Sequence, residues 1–320
     1  MRVLITGVAS SLGRLLTGRL LADPAVENVT GLDVRACHPP IAGLRFVRAR
    51  LDQPDWLPLL DGIDRVVHLA ALRDWPARRD LRTMPPPDAH KRLLSAVVGA
   101  GVPRVIVVNS ALLYGPQDRT PLAETAPVRG HTAGPYARQQ AMLADYLDAL
   151  AAQNPQTRLI RLRMGWISGP HHRGLARYLT AAPGLPRGTG PRPLQVVHED
   201  DLIGAIRLAM EYDLADITHV AGDADLTLHE AAALVGARDR VLPLLWLRAR
   251  ATWGWRWLGH RTPPEWVMAL ARSPILRTDR LHGAGWVPRY TSRRALAAAL
   301  DPVQGGVQGQ RLYGLEQEKQ

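Results

Sequence analysis

Cysteine is nearly absent from this 320-residue chain, where Cys37 stands alone. A single thiol excludes an internal disulfide and offers no Cys/His cluster with zinc spacing. Lysine is almost as scarce: Lys91 and Lys319 are the only two, so the net charge of +11 is carried by arginine. A positive balance of that size suits an anionic partner such as a nucleotide, a nucleic acid or a lipid surface. The arginines, however, run through a chain rich in Ala, Pro and Gly, which reads as compositional drift rather than a binding stripe. No zinc finger, RNA-binding sheet motif or basic heptad region accompanies them, so nucleic acid is not expected as a partner. No apolar run approaches the ~20 residues of a membrane span. The opening Met1-Arg2-Val3-Leu4-Ile5-Thr6-Gly7 is too short in its apolar part for a signal-peptide core of roughly 7–15 residues. The expected location is the cytoplasm.

What is present is an alternation of short apolar runs with amphipathic segments. Arg2–Thr6, Val29–Asp33, Leu44–Val47, Arg65–Leu69, Arg104–Val108 and Thr157–Leu162 read as strands. Ser11–Leu21 carries Leu12, Leu15, Leu16 and Leu20 in a helical stripe, and further helices fit at Lys91–Val98 and Tyr136–Ala152. This order predicts an α/β fold, a Rossmann-like doubly wound parallel sheet with right-handed crossovers. A strand at Leu194–His198 and a helix at Asp200–Met210 resume the sheet layer, and the segments from Thr227 onward are mostly helical. The expected division is a dinucleotide-binding domain (1–165 plus 194–222), a smaller, mostly helical substrate-side domain (166–193 plus 223–302) and a loose tail (303–320).

The strongest local signal is Thr6-Gly7-Val8-Ala9-Ser10-Ser11-Leu12-Gly13-Arg14, which leaves a strand and opens a helix. Gly7 allows the tight turn and Gly13 a close helix–strand approach, while the helix start offers N–H groups and a positive dipole end to a diphosphate. Asp33 ends the second strand 20 residues beyond Gly13. A carboxylate there accepts hydrogen bonds from a ribose 2′-hydroxyl and repels a 2′-phosphate, which favours NAD; Arg35 keeps NADP open.

Further segments resemble the extended short-chain dehydrogenase/reductases of the NAD-dependent epimerase/dehydratase type. They are Val67-His68-Leu69-Ala70-Ala71, Asn109-Ser110-Ala111-Leu112-Leu113-Tyr114-Gly115, Tyr136 at a helix start, Val197-His198-Glu199-Asp200-Asp201, and Gly285-Trp286-Val287-Pro288-Arg289-Tyr290. They occur in the family's order from residue 1 to about 300. The resemblance implies an NAD(P)-binding oxidoreductase, epimerase or dehydratase acting on a secondary alcohol or ketone. It makes Ser110 the hydrogen-bond partner of the substrate oxygen and Tyr136 the proton-transferring phenol. Cofactor contacts would come from Gly7, Ser10, Ser11, Leu12, Gly13, Asp33, Arg35, Leu51, Ala70 and Ala71. No metal is implied.

The chain departs from the family pattern where the chemistry is most sensitive. Gln140 holds the place of the lysine four residues after the tyrosine. An amide carries no charge with which to stabilise a phenolate, and its remaining use would be a hydrogen bond to a ribose hydroxyl. Ser10 replaces the middle glycine of the phosphate turn, Arg50 aligns with an acidic adenine partner, and Met84-Pro85-Pro86-Pro87 replaces an Asn-containing helix start. Leu194 stands where nucleotide-sugar enzymes place an arginine, with Arg192 the nearest alternative. These changes support a second expectation: a catalytically impaired member serving as a structural, assembly or regulatory subunit.

Leu242 to Leu258 gathers Trp246, Trp253, Trp255 and Trp257 with Arg248, Arg250 and Arg256. Such a helix packs on the small domain, lids a pocket, meets a protein partner (a homodimer included) or lies on a membrane surface. The pair His171-His172 reads as solvated or substrate-facing, and His198 as structural. The run Arg78-Arg79-Asp80-Leu81-Arg82 reads as a solvated face.

Overall fold

The computed structural model describes residues 1–72, 85–117, 120–190, 192–238, 240–257 and 264–301. Its strands are β1 (Arg2–Thr6), β2 (Asn28–Asp33), β3 (Leu44–Arg48), β4 (Arg65–His68), β5 (Arg104–Ser110), β6 (Arg158–Met164), β7 (Trp166–Ser168), β8 (Leu185–Pro186), β9 (Val196–His198), β10 (Ile217–Val220) and β11 (Val241–Leu242). The helices are α1 (Ser11–Leu21), α2 (Pro87–Gly99), α3 (Pro135–Gln153), α4 (Gly174–Ala181), α5 (Glu199–Glu211), α6 (Leu228–Leu234), α7 (Leu244–Trp257), α8 (Pro264–Ala271), α9 (Asp279–Gly283) and α10 (Ser292–Ala298).

Seven strands form one parallel sheet in the order β10-β6-β5-β4-β1-β2-β3. The continuous apolar runs follow from burial on both faces. On β1, Val3 and Ile5 join Leu12, Leu16 and Leu20 of α1 on one face, while Leu4 turns to the other with Leu93, Leu94 and Val97 of α2 and Leu143 and Leu147 of α3. Each of these fully buried aliphatic side chains contributes roughly 1.5–3 kcal/mol, and the alternation locks the register. Strand order reverses between β1 and β4, so the crevice for a ligand opens there, at the carboxyl ends of the strands.

A separate core joins Leu175 and Leu179 of α4, Leu228 of α6, Leu247 of α7, Trp266 and Leu270 of α8 and Leu296 of α10.

Two expectations need correcting. The strand at 196–198 does not extend the main sheet; β9 pairs with β7 in its own two-stranded sheet. The sheet gains its seventh strand instead from β10, whose sequence Ile-Thr-His-Val buries two polar side chains, Thr218 and His219. The helix expected from Lys91 starts a turn earlier, with Pro87 in its first turn, a position where the missing N–H costs nothing. The Arg78–Arg82 run, Met84, Leu258 and the tail at 303–320 lie outside the described residues.

Candidate functional site

The turn after β1 is built by contacts that only glycine permits. Gly7 has φ +77°, and a Cβ there would meet the Ala70 nitrogen at 2.9 Å. Its N–H donates to Leu32 C=O at 2.8 Å, which ties the turn to β2. Ser10 sits in ordinary extended backbone (φ −71°, ψ 161°) and caps α1 itself. Its hydroxyl donates to Gly7 C=O at 2.7 Å and accepts from Gly13 N–H at 3.0 Å. The first intrahelical bond runs from Arg14 N–H to Ser10 C=O, so the Ser11 and Leu12 N–H groups precede it at the positive end of the helix.

Asp33 closes the other side. Its carboxylate, 8% exposed, accepts from Ala9 N–H at 3.0 Å and Arg35 N–H at 2.9 Å. The Arg35 guanidinium, on a half-exposed side chain, adds a contact at 3.3 Å. Ionised carboxylates hold about four acceptor sites, so displacing the half-exposed Arg35 guanidinium frees acceptors without disturbing the backbone bonds. Gly7, Ser10, Asp33, Arg35, Leu51 and Ala70 line an open groove. Leu32, Val34, Ala49, Leu69, Leu72 and Pro85 complete it. These residues fit a dinucleotide: a cradle that a Cβ would fill, helix-start donors and a carboxylate at one edge.

Other expected contacts sit elsewhere. The Leu12 side chain is in the core, so a contact from it runs through its backbone. Gly13 is a packing residue whose N–H is taken by Ser10. Ala71 is buried in the core and does not line the groove; its carbonyl accepts from Gln140.

Gln140 has no exposed surface. Its Oε1 accepts from Ser110 N–H at 2.9 Å and Asn109 Nδ2 at 3.5 Å, while its Nε2 donates to Ala71 C=O at 2.7 Å. The amide therefore braces α3 against the ends of β4 and β5. It joins Gln140 to the backbone of Ser110, whose hydroxyl accepts from Leu112 N–H at 3.3 Å. Tyr136, one helical turn before Gln140, lies on the same buried face of α3.

Sequence reading missed Glu265, which lies 129 residues from Tyr136. Its carboxylate accepts from Tyr136 N–H at 3.0 Å and fills the space that a Cβ on Gly134 would need. An acid at that helix start complements the dipole.

Beneath the groove runs a polar chain. Thr6 Oγ1 meets His68 Nδ1 at 2.7 Å, His68 Nε2 meets His90 Nδ1 at 2.9 Å, and Gln139 Nε2 lies 3.4 Å from His90 Nε2. Burial, with His90 adding to it, holds the His68 imidazole well below its ordinary pKa. The His171-His172 pair also needs correcting: His172 is buried, and the two rings hold Glu199 through Nδ1 contacts of 2.6 and 2.8 Å. Burial alone would push the Glu199 carboxyl up, but hydrogen bonds from His172 and His171 bring it below its ordinary value.

At the far edge of the sheet, Arg163 donates to Tyr114 Oη at 2.9 Å, and Tyr114 Oη lies 2.5 Å from His219 Nε2. His219 Nδ1 lies 2.9 Å from Arg277 C=O. A carbonyl only accepts, so Nδ1 carries a proton; with the ring neutral, Nε2 accepts from Tyr114 Oη. Burial lowers its pKa to about 4. The folded state then binds fewer protons than the unfolded chain below the ordinary value of 6.5. Stability contributed by the neutral ring is complete above that pH and falls as acid is added, levelling near pH 4. The loss reaches on the order of 3 kcal/mol. Urea unfolding followed between about pH 7 and 5 should give midpoints that fall with acid, and His219→Gln should flatten that slope. An unchanged slope in the variant would mean that another group titrates.

A model of the NAD dependent epimerase/dehydratase family matches residues 3–220. Uncharacterized proteins of Mycobacterium tuberculosis and Mycobacterium bovis are 29% identical over 252 residues, which is 73% of this chain. The match takes in 65% of those relatives, just under two thirds of their length. Among solved structures, the NAD-dependent NDP-hexosamine 5,6-dehydratase TunA is 20% identical with a TM-score of 0.71, covering 93% of this chain and 96% of that one. Thermus thermophilus UDP-glucose 4-epimerase, in complex with NAD, is 22% identical with a TM-score of 0.71, covering 96% and 100%.

Proposed function

Since the chain belongs to the NAD dependent epimerase/dehydratase family, we propose that it binds NAD in the groove between β1, β2 and β4 and acts through it on a secondary alcohol or the corresponding ketone. Asp33 carries this reading: its carboxylate, fixed by Ala9 and Arg35 N–H groups at the end of β2, faces a groove whose glycine turn leaves room for a diphosphate. Bound nicotinamide supplies a hydride acceptor and donor. The chain's own residues bind and orient. The helix start holds the diphosphate, Asp33 grips the adenosine ribose, Ser110 hydrogen-bonds the substrate oxygen, and Tyr136 carries the proton at its phenolic oxygen. The solved neighbours named above act on nucleotide sugars. This chain keeps Leu194, 1% exposed, where such enzymes place an arginine, and Arg192 donates to Ala271 C=O at 3.4 Å. The substrate therefore stays at the level of a secondary alcohol or ketone.

Gln140 favours a second reading, in which the protein holds NAD with little or no turnover, because a neutral, fully enclosed amide replaces the cation that depresses a phenol's pKa.

Fluorescence titration with NADH and NADPH tests both. NADH should bind more tightly than NADPH. Asp33→Ala should reverse that preference by roughly tenfold or more, through lost ribose hydrogen bonds and removal of the repelling charge. Absence of binding by either nucleotide at millimolar levels would defeat both readings. Tight NADH binding with no hydride exchange on any alcohol or ketone would select the second.

A further inference from the structure

Helix α7 is turned inside out relative to an ordinary surface helix, which hides its apolar face and presents its polar one. Only Leu247 and Gly254 are buried in it. Leu245 is 78% exposed, Trp246 47%, Trp253 55% and Trp257 73%. At 3.6 residues per turn, these four and Ala249 fall within an arc of about 120°. Arg256 lies within that arc, and exposed Arg250 and Arg248 lie beyond its two edges. The Arg250 guanidinium lies 5.8 Å from the centre of the Trp246 ring. No acidic residue occurs anywhere in the helix, and the nearest in α8, Glu265, has its carboxylate on Tyr136 N–H.

We propose that α7 docks the protein on an anionic lipid surface, lying in the plane of the interface with its tryptophans among the headgroups. Indole combines a large apolar body with one wet donor, which suits the boundary layer better than hydrocarbon or water. Exposed Arg248 and Arg250 supply cations that pair with no acid among the described residues, so the face complements negative headgroups, and the chain's net charge of +11 acts in the same direction. No described helix is long and apolar enough to cross a membrane, and 14 residues span only about 21 Å, so the helix lies on the bilayer rather than through it. A second copy pairing through this face would set one arginine-bearing patch against another, a like-charge juxtaposition that opposes self-association.

The test is flotation of the full chain with phosphatidylcholine vesicles, with and without phosphatidylglycerol, at low and high salt. Co-flotation should require the anionic lipid and weaken with salt. Trp246→Ala/Trp253→Ala/Trp257→Ala should reduce it on the order of a hundredfold, and Arg248→Gln/Arg250→Gln by roughly fivefold per charge. Thermal unfolding and NADH titration of the variants should match the native chain, because the changed side chains are exposed and apart from the groove. In the unaltered protein, anionic vesicles should shift the tryptophan emission to the blue. No flotation, equal flotation with both vesicles, or an undiminished triple tryptophan variant overturns the proposal. So does a lipid-free dimer that the triple variant dissociates, which would assign the face to a second copy.

Discussion

Gly13→Ala should abolish NADH binding and lower the unfolding free energy by about 2 kcal/mol. A Cβ at Gly13 meets Gly7 C=O oxygen at 2.4 Å, Val8 Cα at 2.7 Å and the Val8 carbonyl carbon at 2.9 Å. All three are backbone atoms, so no side chain can swing aside. Helix α1 must lift from the end of β1, and its start moves away from the groove. Alanine is intrinsically the better helix former by about 1 kcal/mol, so the steric penalty has to exceed that gain. Gly18→Ala supplies the control: a Cβ there has nothing within 4 Å, and this change should stabilise by up to about 1 kcal/mol with unaltered nucleotide binding. Urea midpoints and NADH titration read both effects. Equal behaviour of the two variants would show that the helix does not depend on its approach to Gly7.

Gln140→Lys supplies the lysine that the family resemblance leads one to expect and should nevertheless damage the protein. An ammonium donates but cannot accept, so it can replace the bond to Ala71 C=O and not the one from Ser110 N–H. The orphaned N–H and the desolvated charge together cost on the order of 3 kcal/mol or more. Burial lowers the ammonium pKa, so below about 10.4 the folded variant binds fewer protons than its unfolded chain. Its deficit is then largest at low pH and shrinks as pH rises toward that value. Urea unfolding at two pH values checks the size and the sign. A variant as stable as the native chain with faster hydride exchange would show that the brace is dispensable and the missing cation is the limiting defect.

The sheet was legible because β1, β4 and β5 bury both faces, which leaves short uninterrupted apolar runs in a recognisable order. β10 was hidden because Thr218 and His219 break its pattern, and the partners of His219, Tyr114 and Arg277, lie 105 and 58 residues away. The turn from Gly7 to Gly13 and the carboxylate of Asp33 could be read because their meaning is local and spacing-dependent. Gln140 was read as a departure from the family pattern, while its bracing contacts involve Ser110 and Ala71, 30 and 69 residues away. His172 was misread for the same reason: Glu199, which buries it in a charge-assisted pair, is 27 residues on. Groove residues such as Pro85 and Ala49 carry no chemical signature and become visible only when the chain is folded.

The clasp between Glu265 and the first turn of α3 has a consequence for how the molecule can be divided. The family match ends at residue 220, just where the seventh strand closes the sheet, so a fragment cut there would keep the crevice and its glycine turn. It would lose the carboxylate that anchors Tyr136 N–H. A carboxylate beyond the family match thus fastens the start of α3, 129 residues away in the chain.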